Sequence, residues 1–260
     1  MRYIKIIHLI SLDVALGAVL FQLYFCRLFL GNFPHWTQIL LLFSSIWLIY
    51  LLDRRIDLQI QPPTDERHLF QFEHRKPINY LIALLFLLSI ILTFYLPIAL
   101  LKFGVFLVIG IALYWIVWLF GCFDHILASK EIFTAIYFTL GIGAVIFYQF
   151  TFCVFFIECF ILFFLVVFHN LLIFSSLEIN ILRYWTYLIK WVELLFVIIL
   201  VILISTNPSQ RVFLNILPIL ITFCIQVWIH YFAYSLKSRL LGELAYFSPL
   251  IYFMYEFFSK

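Results

Sequence analysis

The chain has 260 residues, of which 66% are hydrophobic and 11% charged, with a formal net charge of +3. Soluble domains carry about a quarter charged residues, and no water-soluble fold of this size hides so much apolar surface, so lipid is the solvent for most of the chain. Composition therefore excludes a soluble enzyme, and the confinement of basic residues to short loops beside lipid excludes a nucleic-acid partner.

About 20 apolar residues cross a bilayer. By that measure the sequence predicts an all-α polytopic bundle, a single membrane domain over 1–260 with about nine transmembrane helices. The spans fall near 6–28, 36–52, 79–97, 101–120, 131–149, 152–174, 186–205, 212–232 and 241–258. The basic start could pass for a signal-peptide n-region. The apolar stretch behind it is long, contains Asp13 and lacks a small-residue cleavage site, so it reads as the first span. The second span is short, and the last carries Glu243 and Pro249. Gly31 to Pro34, Asn207-Pro208 and Lys237 to Arg239 punctuate the joins.

Nine spans put the two termini on opposite faces. Twelve of the sixteen Lys and Arg residues then share the N-terminal side, five of them (Arg54, Arg55, Arg67, Arg75, Lys76) in the connection after the second span. The positive-inside rule makes that side cytoplasmic.

The same connection holds most of the polar chemistry. Asp53 and Asp57 are four apart, so if the second helix continues they lie one turn apart on one face. Two such carboxylates can hold Mg²⁺ together with substrate phosphate oxygens. Arg67, His68, His74, Arg75 and Lys76 can grip a diphosphate. The plainer reading is a charged loop that topology requires anyway, its Asp and Arg residues pairing at the membrane surface. Asn170 and Glu178, two helical turns apart at the end of the sixth span, can face one cavity.

Ionisable groups inside spans are costly and face a cavity or a partner. Asp13 and Glu243 lie toward the cytoplasmic halves of the first and last spans, within reach of the active face. Glu158 sits nearer the other side and reads as structural, and Glu193 is expected to pair with Lys190. The five cysteines are scattered and form no CxxC pair, so they read as small apolar side chains. A diiron oxidase needs closely spaced histidines. His68 and His74 are six apart without an HxxxH, and His8, His35, His125, His169 and His230 are dispersed.

Taken together, these features resemble the UbiA superfamily of intramembrane prenyltransferases, in a divergent bacterial form. Leu52 to Asp57 resembles the family's first aspartate motif, and Asn170 and Glu178 fall where the second acidic motif belongs. Lys130-Glu131 with Gly141 and Gly143 is similar to the family's fifth helix. Thr64 to Phe70, followed by His74-Arg75, is similar to a loop of the divergent branch. The family's Asn-Asp opening falls on Ile49 and Tyr50, and Leu182 stands four residues after Glu178, so three carboxylates remain of about five.

The resemblance implies a bacterial plasma-membrane enzyme that transfers an isoprenyl group from its diphosphate to a hydrophobic acceptor. It implies Asp53, Asp57 and Glu178 as Mg²⁺ ligands. Arg54, Arg67, His68, His74, Arg75 and Lys130 would hold diphosphate, and Asp13, Asn170 and Glu243 would line the substrate cavity. The alternative is a non-catalytic protein of the same fold that binds or transports a lipid or small molecule.

Overall fold

A computed structural model describes residues 2–60, 66–119, 128–149, 153–178, 182–207, 210–233 and 238–258. Every regular element among them is helical. In chain order these are α1 (Arg2–Leu9), α2 (Leu12–Leu30), α3 (Trp36–Ile60), α4 (Glu66–Glu73), α5 (Arg75–Thr93), α6 (Ile98–Leu119) and α7 (Ser129–Gln149). They are followed by α8 (Val154–Glu178), α9 (Leu182–Thr206), α10 (Gln210–Phe232), α11 (Arg239–Leu244) and α12 (Pro249–Phe258). In hydrocarbon a backbone must satisfy its own hydrogen bonds, which is why apolar runs of this length fold as helices. Seven of them, α2 and α5 to α10, are long and apolar enough to cross a membrane, and the chain is a multi-pass integral membrane protein.

Burial separates central from peripheral helices. In α8, 72% of the apolar window is buried, against 11% in α6; α8 is the core of the bundle and α6 faces lipid. The abundant phenylalanine fills that core. Phe21 and Phe25 of α2 pack on Phe163 and Phe160 of α8, with ring centroids 4.5 and 4.7 Å apart.

The first predicted span is divided. Ser11 adopts a left-handed conformation (φ 58°), which ends α1 and redirects the chain into α2. The predicted last span is also broken. α11 is followed by a 3-10 turn (Ala245–Phe247) before Pro249 opens α12, a position where proline's missing N–H costs nothing. Side-chain hydroxyls tie this break to α10: Thr222 Oγ1 donates to Ala245 O at 3.0 Å, and Ser248 Oγ to Pro218 O at 2.8 Å.

This last segment lies parallel to α2. Going along both, Asp13 meets the neighbourhood of Glu243, Gly17 abuts Tyr246, Tyr24 packs edge-on to Tyr252, and Arg27 pairs with Glu256. One end of the bundle thus gathers the start of α2, the end of α3, α4, the start of α7 and α11. The opposite end holds Arg27–Glu256 and, where α8 starts and α9 ends, the Glu158 carboxylate with Thr206 and Asn207.

α3 runs two turns beyond the predicted span and carries Asp53 and Asp57 with it. In the segment expected to be a loop, α4 forms instead. Its Arg67 and Gln71, one turn apart, are buried, while Leu69 and Phe72 are exposed.

Candidate functional site

Asp53 and Asp57 lie on one face of α3, and one amine bridges them. Lys130, in the first turn of α7, places Nζ 2.9 Å from Asp57 Oδ2 and 3.4 Å from Asp53 Oδ2. Both carboxylates are about 30% exposed, at 33% and 27%. Ala128, just before Lys130, has a left-handed backbone (φ 58°), costing a non-glycine residue about 1–2 kcal/mol. Two carboxylates thus face one ammonium, with the Arg54 guanidinium a further positive neighbour of Asp53.

Asp53 also lines a cleft between α3, α6 and α7 of about 590 Å³ counting its open mouth, walled by Tyr50, Tyr114, Trp115, Phe133, Tyr137 and Phe138. Tyr50 and Phe138 separate it from a second cleft of similar size, where Asn170, Glu243, Arg239 and Tyr246 face one another. Asn170 therefore lines a cavity. Its Oδ1 is buried without a hydrogen-bond partner among the described residues.

Behind the second cleft is a compact ionic cluster. His8 Nδ1 lies 2.8 Å from Asp13 Oδ2 and 3.0 Å from Glu243 Oε2. Arg67 donates to Glu243 and stands 4.0 Å from Asp13, and Arg239 Nε is 3.6 Å from Glu243 Oε1. Asp13, Glu243 and Arg67 are all buried. Two of the Arg67 nitrogens, Nε and Nη1, are buried with no hydrogen-bond partner among the described residues. On α1, ahead of the spanning α2, burial works against a charged His8 ring, but the hydrogen bonds it donates to Asp13 and Glu243 outweigh this and raise its pKa above the ordinary value.

The predicted residues thus divide. Asp53, Asp57 and Lys130 come together; Asp13, Glu243 and Arg67 come together beside them, with His8 and Arg239 as members the sequence reading missed. Arg54 is buried and reaches back to the Leu9 carbonyl at 3.5 Å. His68 is half-buried on α4. His74 and Arg75 are exposed: His74 stacks on Phe70, and the Arg75 guanidinium lies 4.1 Å over the Phe72 ring. The Glu178 side chain lies outside the described residues.

Two expectations are corrected. Glu193 does not pair with Lys190, which is exposed. It accepts instead from groups on two other helices. His169 Nε2 is 3.3 Å and His230 Nδ1 3.1 Å from Glu193 Oε1. The histidines that look dispersed in the sequence thus include a pair brought to one carboxylate. No local spacing signals this, because the three residues sit on α8, α9 and α10.

Comparison of the chain with protein-family models, with curated proteins and with solved structures finds no match.

Proposed function

We propose that the protein is a UbiA-like intramembrane prenyltransferase, with nine crossings formed by the seven apolar helices, α3 and the broken α11–α12 segment. In this reading the end bearing Asp53 and Lys130 faces the cytoplasm, in keeping with the bias of basic residues. The observation that carries the proposal is the paired carboxylates of Asp53 and Asp57 beside an aromatic-walled cleft. An isoprenyl diphosphate needs that combination. Its charged head requires cations, and its chain and the allylic cation left by diphosphate departure require apolar and π-rich walls.

The donor set suits Mg²⁺, which binds through one or two carboxylates and phosphate oxygens. Asp53 and Asp57 would hold it, Glu178 would add a third carboxylate, and the ion would neutralise charge on the leaving diphosphate. Lys130 would turn from the carboxylates to the diphosphate. Tyr50, Tyr114 and Phe138 would flank the allylic carbon and exclude water.

The test is diphosphate release from isoprenyl diphosphates, coupled to transfer of the isoprenyl group to a hydrophobic acceptor supplied as a membrane-lipid extract, by the purified protein in detergent with and without Mg²⁺. The reading expects Mg²⁺-dependent release that Asp53→Asn and Asp57→Asn each abolish. Equal release by variants and wild type removes it.

A second reading, a non-catalytic protein binding a lipid or small molecule, is favoured by one feature. Asp13 and Glu243 are already matched by Arg67, Arg239 and His8. Mg²⁺-independent binding of isoprenyl diphosphate without turnover would select it.

A further inference from the structure

The prenyl-transfer reading leaves the His169, Glu193 and His230 cluster without a role. It lies inside the bundle, on three helices each long and apolar enough to cross a membrane. His169 is fully buried. Ionisable groups so placed are expensive unless each has a specific partner.

His169 has a polar partner at each ring nitrogen. Its Nδ1 lies 3.2 Å from Gln226 Oε1, and its Nε2 lies 3.3 Å from Glu193 Oε1. Both partners are acceptors, and a neutral imidazole has a single N–H. With its N–H on Gln226, His169 turns the Nε2 lone pair toward Glu193, an arrangement that a shared cation completes. On its other side the Gln226 amide nitrogen lies 3.5 Å from the Tyr246 hydroxyl. On the far side, Tyr231 donates to Glu193 Oε2 at 2.9 Å, leaving Oε1 to the two imidazoles.

We propose that His169 Nε2, Glu193 Oε1 and His230 Nδ1 bind one divalent first-row transition ion. Two imidazoles and a carboxylate suit Zn²⁺, Fe²⁺ or Co²⁺, whereas Mg²⁺ prefers oxygen donors. The three ligand atoms lie within 4.8 Å of one another. Bond lengths of about 2.0–2.1 Å around a tetrahedral ion give ligand-to-ligand edges of about 3.3 Å, close to the observed 3.1 and 3.3 Å. A ligating histidine that donates its other N–H to a fixed acceptor is the usual support for such a site, and Gln226 supplies it. Three protein ligands leave a coordination position open. The Gln226–Tyr246 link runs from the ion toward the cleft lined by Asn170 and Glu243.

The test uses the full chain in detergent, stripped with chelator and titrated with Co²⁺, whose ligand-field absorption reports binding. One equivalent is expected to bind and to be displaced by Zn²⁺. His230→Gln is expected to abolish the signal, and Gln226→Leu to weaken affinity roughly 10–100-fold. Should His230→Gln fail to fold, X-ray absorption of the Co²⁺-loaded wild type decides alone, with two imidazoles and oxygen donors expected. Absence of imidazole scattering, no Co²⁺ uptake by folded wild type, or binding unchanged in a folded His230→Gln overturns the proposal.

Discussion

Asp13 and Glu243, drawn from the first and last parts of the chain, meet at the same nitrogen of His8, 2.8 and 3.0 Å away. Glu243 has Arg239 one turn before it on α11, but that contact is longer and partly exposed, so the neutralising charge comes chiefly from the buried Arg67 on α4. Removing one partner of a buried ion pair leaves an uncompensated charge and costs about 3–5 kcal/mol. Arg67→Met is therefore expected to lower the thermal midpoint in detergent sharply. Arg239→Gln, which removes a partly exposed contact, should cost under about 1 kcal/mol. Equal losses would show that Arg67 does not hold the cluster together.

His8 makes that cluster sensitive to pH. Its folded-state pKa is raised, so its contribution is complete below the unfolded imidazole value and is lost as pH rises through the folded one. Thermal stability should decline over that alkaline-going window, and His8→Gln should flatten the decline. Melting curves collected across neutral pH in wild type and variant check it.

Lys130 and a divalent cation compete for the same two carboxylates. Lys130→Met leaves Asp53 and Asp57 one turn apart without their ammonium, and like charges so spaced repel by a few tenths of a kcal/mol. The variant is expected to be destabilised in chelator and to gain a larger Mg²⁺-induced thermal shift than wild type. Adding Asp57→Asn should abolish that shift. Persistence of the shift in the double variant would place the Mg²⁺ response elsewhere.

Glycines separate packed from lipid-facing positions. A methyl at Gly17 would come 2.7 Å from Tyr246 Cβ, where α2 meets the last segment, whereas nothing lies within 4 Å of the corresponding point at Gly104. Gly17→Ala is expected to cost about 1–3 kcal/mol by overpacking. Gly104→Ala, in the exposed α6, should be neutral or gain up to about 1 kcal/mol from helix propensity. Parallel thermal melts of the two variants distinguish them.

Legibility in the sequence followed the range of the interaction. The apolar lengths reported the crossing helices, and the four-residue spacing of Asp53 and Asp57 reported a shared face, because both depend on a local period. Breaks were harder to read. Ser11 turns left-handed without a glycine to announce it, and this turn sets His8 against Asp13. The pairing of Glu193 with Lys190 was argued from spacing, but α9 presents Lys190 outward and Glu193 toward α8 and α10. Which side of an apolar helix faces a neighbour is decided by packing, and helices apolar all round carry little periodicity from which to read it.

The parallel seating of the α11–α12 segment against α2 has a consequence for biogenesis. Glu243 and Arg239 leave the ribosome after every other member of the polar cluster. Until they do, Asp13 sits in an inserted helix with only His8 and Arg67 at hand. Completion of the cluster thus waits on the last part of the chain to be made, and that segment must then seat along α2. Gly17 leaves room there for Tyr246.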